Sequence, residues 1–164
     1  MSTATAERTE TRPADPTAFQ TGHIGLNVTQ LERATAFYQE VFGFQLLGGG
    51  SAPERRYAFL GDSDRLVLTL WEQSAGDFSP RLPGLHHLSF QVENLDQVRA
   101  VEQRLSALGA RIYHDGIVPH AEGAASGGLF FEDPDGIRLE VFVARGLEGA
   151  GPAPTTDGPT CGFF

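Results

Sequence analysis

Two histidines and one carboxylate are the residues of this chain whose types and spacing could do chemistry. His23 opens the segment His-Ile-Gly-Leu-Asn-Val, and 64 residues later His87 opens the similar segment His-Leu-Ser-Phe-Gln-Val. Glu140 stands between two apolar residues of the last strand-like run, where a carboxylate needs a partner. Two imidazoles and one carboxylate hold a divalent metal and leave coordination positions open. Non-haem Fe(II) uses this donor set, and Mn, Co, Ni or Zn could also occupy it.

The elements around the two histidines repeat along the chain, which indicates a duplicated architecture. Alternating apolar and polar residues predict a strand over 22–28, with His23 and Asn27 on its polar face. Helical spacing then predicts a helix from Leu31 to Gly43. Three further strands are predicted near 44–47, 56–60 and 66–71. The first module is therefore predicted to be βαβββ.

The second module follows the same plan. A strand over 87–92 leads into a helix over 95–108, and Gly109 ends that helix. Three more strands are predicted near 110–114, 128–132 and 137–143. Both helices are predicted to begin with a capping box, formed by Thr29 with Glu32 and by Asn94 with Gln97.

Strand alternation predicts which side chains share a face with the two histidines. On the last strand Glu140 and Phe142 face away from the apolar side, toward the concave surface on which a pseudo-symmetric pairing of modules would bring the histidines together. His86 is predicted to face the opposite side. Phe59 and Trp71 have the concave-facing parity, so they could line a pocket for an aromatic or apolar substrate or pack between the modules.

Composition shifts divide the chain into five segments. A charged, turn-prone tail (1–20) and a tail rich in Gly and Pro (145–164) are predicted to be flexible, and a linker separates the two modules. The modules are predicted over 21–73 and 86–144, with the linker over 74–85.

Charge and composition exclude several classes of function. The 21 acidic residues outnumber the 12 basic ones, for a net charge of −9, and the basic residues are not clustered, which disfavours a nucleic-acid partner. Every basic residue is Arg, which excludes lysine Schiff bases, pyridoxal phosphate attachment and P-loop chemistry. The single cysteine, Cys161, forms no disulfide framework, and no segment is apolar enough for a signal or a membrane span. A cytoplasmic protein without a membrane partner is expected.

The motifs resemble the vicinal oxygen chelate superfamily over roughly residues 20 to 144. Besides the duplicated modules, the resemblance is carried by Ala-Phe-Tyr at 36–38, Phe-Gly-Phe at 42–44 and Phe-Phe-Glu-Asp-Pro-Asp-Gly at 130–136. This superfamily includes glyoxalases, extradiol dioxygenases, fosfomycin-modifying enzymes, methylmalonyl-CoA epimerases and bleomycin-binding proteins. The resemblance implies an α+β fold in which the mixed sheets of two tandem βαβββ modules form a half-barrel cup around a metal site. It also implies that His23, His87 and Glu140 are the metal ligands.

Departures from the family pattern narrow the function that the resemblance implies. Glyoxalases and epimerases draw a fourth ligand from the strand where this chain has Val67, which cannot coordinate, so three ligands fit dioxygenases and fosfomycin-type enzymes better. In extradiol dioxygenases a histidine and a tyrosine precede the glutamate where this chain has His120 and Phe130. His120 is therefore a candidate acid–base group, and Tyr57 or Tyr113 would have to replace the missing hydroxyl.

These observations predict a metal-dependent enzyme on a small molecule, with an Fe(II) dioxygenase favoured. An oxygen-independent lyase, isomerase or thiol transferase is the nearest alternative, and an antibiotic-sequestering binding protein is the other. The candidate substrate-binding residues are Asn27, Tyr57, Phe59, Trp71 and Phe142. A homodimer is expected, and the cup could close within one chain or between two.

Overall fold

The computed structural model describes residues 20–155 and 164, and in that part of the chain two βαβββ modules follow one another. The first comprises β1 (Ile24–Val28), α1 (Leu31–Phe42), β2 (Gln45–Ala52), β3 (Arg55–Asp62) and β4 (Arg65–Glu72). The second comprises β5 (Leu88–Val92), α2 (Leu95–Leu108), β6 (Val118–Pro119), β7 (Gly127–Glu132) and β8 (Arg138–Val143). Residues 1–19 and 156–163 of the predicted tails lie outside the described residues, and the segment boundaries stay predictions.

Each module forms one four-stranded mixed sheet. The strand orders are β1-β4-β3-β2 and β5-β8-β7-β6, with a parallel pair at one edge of each sheet and antiparallel pairs elsewhere. The repeat of the parallel β1–β4 pair as β5–β8 confirms the predicted α+β fold of tandem modules. Neither sheet is closed into a barrel, so each keeps a face that does not pack on the core.

One hydrophobic core joins the two modules. Along β1, Leu26 and Val28 are buried while Gly25 and Asn27 are exposed, which is the period-two pattern expected of a strand with one core face. The ring of Phe42, at the end of α1, lies 4.8 Å from the ring of Phe90 in the second module. The modules therefore share a core and pack as one unit.

The predicted capping box is present at the helix of the second module and absent at the helix of the first. Asn94 and Gln97 form the predicted capping box of α2. At α1 the N-cap is Gln30, without a side-chain capping bond, and the first helical N–H donates to Glu72 at 2.7 Å. The hydroxyl of Thr29 instead donates to the Asp135 carboxylate of the other module. The predicted box at Thr29 was wrong because a carboxylate from a distant part of the sequence is the better acceptor.

Two strands differ from the sequence prediction. Of the strand predicted near 110–114, only an isolated pairing of Ile112 with Phe131 remains, because His114 takes a left-handed conformation (φ 59°) that strands do not use. The strand predicted near 44–47 is longer than the sequence indicates, since β2 continues through the glycine-rich segment to Ala52. A Cβ on Gly49 would lie 2.7 Å from the Tyr57 carbonyl oxygen, so glycine permits this close pairing.

The turn Asp-Pro-Asp-Gly at 133–136 ties the modules together. Asp133 accepts hydrogen bonds from the N–H groups of Asp135 and Ile137 at 2.9 and 2.8 Å, and Gly136 takes the predicted left-handed conformation (φ 79°). The hydroxyl of Tyr38, a fully buried residue of α1, donates a hydrogen bond of 3.0 Å to Asp133.

No helix in the described part of the chain is long and apolar enough to span a bilayer.

Replacing Tyr38 with phenylalanine tests this contact between the modules. Burial raises the pKa of Asp133 to about 6, and the Tyr38 hydrogen bond opposes that rise. We expect Tyr38→Phe to lower the free energy of unfolding by about 1 kcal/mol at pH 5, where Asp133 is protonated, and by about 2 kcal/mol at pH 8, because hydrogen bonds to charged groups are stronger. Urea denaturation at both pH values measures the difference.

The sign of this pH dependence follows from proton linkage. The folded pKa of Asp133 lies above the ordinary value of 3.8, so its contribution to stability falls as pH rises from about 4 to about 6. Loss of the Tyr38 donor raises the folded pKa further, so the variant continues to lose stability above pH 6. Tyr57→Phe, at a half-buried tyrosine of β3, should stay within about 0.5 kcal/mol of the original chain. An equal loss at pH 5 and pH 8 would contradict the account.

Candidate metal and substrate site

Glu140 is the centre of the candidate site. Its neighbours on β8, Leu139 and Val141, point into the core, so its carboxylate lies on the opposite face of the second sheet, where it is 2% exposed. One carboxylate oxygen, Oε1, lies 2.9 Å from Nε2 of His120. The other, Oε2, lies 3.8 Å from Nε2 of His87. Two imidazoles therefore face a carboxylate that is withdrawn from water.

Segments that adjoin two strands position these imidazoles, one before β5 and one after β6. His87 comes directly before β5, and its Nδ1 lies 2.8 Å from Nδ1 of His86. The prediction that His86 faces the opposite side was wrong, because both histidines precede β5 and strand alternation does not apply to them. His120 directly follows β6, and its Nδ1 lies 3.2 Å from the hydroxyl of Ser126. That contact and the bond to Glu140 fix both nitrogens of the His120 ring.

The separation of His87 and Glu140 fits two ligands of one metal ion. Nitrogen and oxygen ligands of transition metals stand about 2.1 Å from the ion, so two ligand atoms can be about 3 to 4.2 Å apart. The 3.8 Å between His87 Nε2 and Glu140 Oε2 lies inside that range. A buried carboxylate next to a neutral imidazole is also the donor chemistry that such ions prefer. The residues present therefore fit a divalent cation.

His23, the third predicted ligand, lies in the first module, whereas Glu140 and His87 lie in the second. It stands exposed immediately before β1, at the edge of the first sheet. Among residues 20–155 and 164, no three side chains of His, Cys, Asp or Glu come together closely enough to hold a metal. In the described part of a single chain, His87 and His120 each face the Glu140 carboxylate without forming a three-ligand group, and His23 lies on the other module.

The strand register identifies the counterpart of Glu140 in the first module. Glu140 pairs with Ser89, two residues after His87, and Thr69 pairs with Gly25, two residues after His23. The sequence pattern predicts Val67 in this position, and the register shows that this assignment was wrong by two residues. Thr69 is buried, and its hydroxyl accepts a hydrogen bond from the Trp71 indole at 3.2 Å. A neutral, occupied hydroxyl offers a metal far less than a carboxylate does.

The predicted substrate-binding residues divide between the two sheets. On the first sheet the ring of Tyr57 lies 5.0 Å from those of Phe59 and Trp71, and Asn27 pairs in register with Trp71 and is exposed. These four residues form one partly open face. Phe142 lies on the second sheet, 5.7 Å from the ring of His120.

Sequence reasoning missed an aromatic cluster beside Glu140. Phe130, which pairs with Glu140 in register, is fully buried, and its ring lies 6.2 Å from that of His120. The ring of Phe164 lies 5.3 Å from that of Phe130 and 5.5 Å from that of His87. Strand alternation could have placed Phe130, and the two adjacent phenylalanines at 163–164 are a sequence signal for docking, although the composition of the tail favoured disorder.

Burial and charge change the proton affinity of two side chains at the site. Partial burial lowers the pKa of His87, the Glu140 carboxylate opposes that change, and His86 and Arg138 add to it. Burial and the hydrogen bond to Glu132 raise the pKa of the Tyr113 hydroxyl. A lowered pKa keeps the His87 imidazole neutral, which is the form that coordinates metals.

Comparison with a protein-family model decides the family. Residues 20–141 match the model of the Glyoxalase/Bleomycin resistance protein/Dioxygenase superfamily. The chain belongs to this superfamily. The resemblance to vicinal oxygen chelate proteins that the sequence motifs predict is therefore confirmed.

The names of the similar proteins indicate different enzymatic activities. Catechol-2,3-dioxygenase of Bacillus subtilis (strain 168) is 29% identical over 126 residues, which cover 76% of this chain and 41% of that protein. The chain thus spans less than half the length of this relative. Lactoylglutathione lyase of Salmonella typhimurium is 30% identical over 135 residues, which cover 75% of this chain and 91% of that protein. Superfamily membership therefore indicates small-molecule chemistry and leaves the reaction class open.

Two solved structures share the fold of this chain. A domain from Frankia sp. EAN1pec aligns with a TM-score of 0.66 at 25% identity, over 78% of this chain and 93% of its own. The fosfomycin resistance protein FosX from Listeria monocytogenes, solved with Mn(II) and a sulfate ion, aligns with a TM-score of 0.58 at 19% identity, over 79% of this chain and 95% of its own. The likeness to FosX concerns the fold alone.

Titration of His87 tests the electrostatics of the site. We expect its pKa in metal-free protein to lie below the ordinary value of 6.5, and we expect Glu140→Gln to lower it further, because the carboxylate charge is the influence that raises it. Glu148→Gln, at an exposed carboxylate beyond β8, should leave the His87 pKa unchanged. NMR titration of the imidazole resonances measures all three. A higher pKa in Glu140→Gln than in the original chain would contradict this account.

Proposed function

We propose that this protein is a metal-dependent enzyme acting on a small molecule, and that Fe(II)-dependent oxygenation of an aromatic substrate is its reaction. The observation that carries the proposal is the buried Glu140 carboxylate with the imidazoles of His87 and His120 at its two oxygens. A carboxylate that is 2% exposed is costly to bury unless positive charge or hydrogen bonds compensate it. A divalent cation beside His87 would supply that charge.

The proposed metal ligands are His87 and Glu140 of one chain and His23 of a second copy. His23 and His87 occupy equivalent positions, two residues before the residue that pairs with Thr69 and with Glu140 respectively. The first-sheet face that adjoins His23 is partly open, and on the second sheet His87, His120 and Phe142 keep partial exposure around the buried Glu140. A homodimer in which these faces meet would complete the donor set, and such closed two-fold pairs are the commonest protein oligomers.

The metal would supply Lewis-acid activation and a template for substrate oxygens, with Fe(II) adding reactivity toward dioxygen. Fe(II) is proposed over Mn, Co, Ni or Zn because two histidines and one carboxylate are the ligand set of non-haem Fe(II) oxygenases, and they leave positions for both substrate and oxygen. The neutral Thr69, where the second module has Glu140, supports a three-ligand site.

The chain's own residues would orient the ligands and move protons. His120 holds Oε1 of Glu140 through Nε2 and is itself held by Ser126 through Nδ1, so it fixes the carboxylate as partners of metal ligands commonly do. The His120 side chain keeps partial exposure, so when its bond to Glu140 opens, Nε2 could pass a proton to or from a substrate oxygen.

The predicted substrate-binding residues would enclose the cavity between the facing sheets. Tyr57, Phe59 and Trp71 provide an aromatic wall from the first sheet, and Asn27 adds an exposed amide next to it. Phe142 lies on the opposite wall with His120. An apolar cavity with few polar groups suits a small aromatic substrate.

An oxygen-independent reaction is the second candidate. The lactoylglutathione lyase of Salmonella typhimurium matches this chain over 91% of its own length, far more than the dioxygenase does. A lyase, isomerase or thiol transferase would use the same ligands with a different metal. A sequestering protein would instead bind its ligand equally well with and without metal and would not consume it.

Metal content is the measurement that tests this function. We expect protein purified without oxygen to hold close to one iron per chain, and we expect Glu140→Gln to lose at least about nine-tenths of it, because the anionic ligand is removed. Glu148→Gln, the matched change at an exposed carboxylate, should keep the full content. Iron retained in Glu140→Gln would contradict the site, and another metal lost with Glu140 would indicate the lyase or isomerase class.

A second variant tests the role of His120. We expect His120→Ala to weaken metal binding by about 10-fold to 100-fold, because Glu140 loses the partner that orients it, and Ser126→Ala to have a smaller effect in the same direction. Competition with a metal-sensitive dye measures the affinities. If His120→Ala removed metal as completely as Glu140→Gln, His120 would be a ligand and not an orienting residue.

A further inference from the structure

The ring of Phe164 lies inside a pocket of aromatic and cationic groups, here named the aromatic box. The box consists of His87, Tyr113, Phe130 and Arg138. The Phe164 ring centroid is 5.2 Å from that of Tyr113 and 5.3 Å from that of Phe130, both edge to face. It is 5.5 Å from that of His87, at a tilt of 40°. The Arg138 guanidinium lies 5.3 Å from it. Edge-to-face contacts and a cation over the ring are geometries specific to aromatic groups.

The box adjoins the candidate metal site. His87 belongs to both, since its ring contacts Phe164 while its Nε2 lies 3.8 Å from the Glu140 carboxylate. Phe130 pairs with Glu140 across β7 and β8, and Arg138 lies two residues before Glu140 on the same face of β8. A ring held in the box is therefore adjacent to the atoms proposed to bind metal.

Space continues beyond the box. A cavity of about 580 Å³ is lined by Tyr113, Arg138 and Phe164, and further by Arg111 and Glu132. The Arg111 guanidinium lies 4.7 Å from the centre of the Tyr113 ring, so a second cation contacts this wall of the box. A ligand ring in the box could thus carry substituents that extend into this cavity.

We propose that the aromatic box is a binding subsite for an electron-rich aromatic ring, and that Phe164 is its displaceable internal occupant. The proposal deepens the proposed function, on which it rests for the fate of the bound ring. The guanidinium of Arg138 selects electron-rich rings, because a cation is attracted by the negative face of an aromatic ring. Phe164 presents the same kind of ring from the protein's own chain, so an arriving aromatic ligand must replace it.

Competition from Phe164 has a measurable consequence. A ligand binds only to the fraction of molecules in which the box is free, so its apparent dissociation constant is the intrinsic one divided by that fraction. If Phe164 fills the box at least two-thirds of the time, its removal tightens ligand binding by about threefold or more. The same removal uncovers one face of the His87 ring.

The test uses p-cresol as the aromatic probe and 4-methylcyclohexanol as its saturated counterpart, with the full chain freed of metal by a chelator. NMR titration gives the dissociation constants for the original chain and for Phe164→Ala. We expect Phe164→Ala to bind p-cresol at least about threefold more tightly, and to bind 4-methylcyclohexanol more weakly than p-cresol. Adding Tyr113→Leu to Phe164→Ala should abolish the preference for the aromatic probe, because Tyr113 forms one wall of the box.

Leu108→Ala serves as the matched control, since Leu108 is an apolar side chain that is 49% exposed at the end of α2, outside the box. It should bind both probes as the original chain does. Equal p-cresol affinity in the original chain and in Phe164→Ala would overturn the proposal, as would equal affinity for the two probes. Because metal is absent, a failure here is separate from a failure of the metal assay on Glu140→Gln. Circular dichroism of each variant confirms that the fold is kept.

Discussion

The free-energy cost of burying a carboxylate on β8 is the constraint on which the arrangement of the site depends. Glu140 is 2% exposed and flanked by core residues, and Phe130 beside it in register is fully buried, so water cannot solvate the charge freely. The carboxylate is stable there only because His120 bonds one oxygen and His87 faces the other. Those two contacts explain why a histidine stands directly before β5 and another directly after β6.

The two modules differ in the side chains that they contribute to the proposed site. The register that pairs Ser89 with Glu140 pairs Gly25 with Thr69, so duplication kept the histidine position in both modules and a carboxylate in only one. The first sheet instead carries an aromatic face of Tyr57, Phe59 and Trp71. In the proposed site, a complete donor set requires the two kinds of sheet to face one another, and the described part of a single chain holds no group of three such ligands.

Local patterns predicted most of the fold and part of the site. Strand alternation and helical spacing predicted the two modules. The helix capping box at Asn94 was confirmed, because the residues that form it are neighbours in sequence. Contacts between distant segments were not predictable. The Thr29 hydroxyl donates a hydrogen bond to Asp135 of the other module. The pairing of β4 with β1 makes Thr69, and not Val67, the counterpart of Glu140. Alternation placed Glu140 and Phe142 correctly, but it failed for His86, which precedes the strand. The ligand role of His23 stays a prediction, since no local pattern specifies which sheet faces it.

Complementation between two inactive variants tests the central claim, that the metal site forms between copies, most directly. His23→Ala and Glu140→Gln would each be refolded alone and as an equal mixture, and bound metal per chain would be measured. Random pairing makes half of the dimers mixed, each with one intact site of two, so the account predicts about a quarter of the original metal content in the mixture and almost none in either variant alone. A mixture that binds no more metal than the separate variants would contradict it.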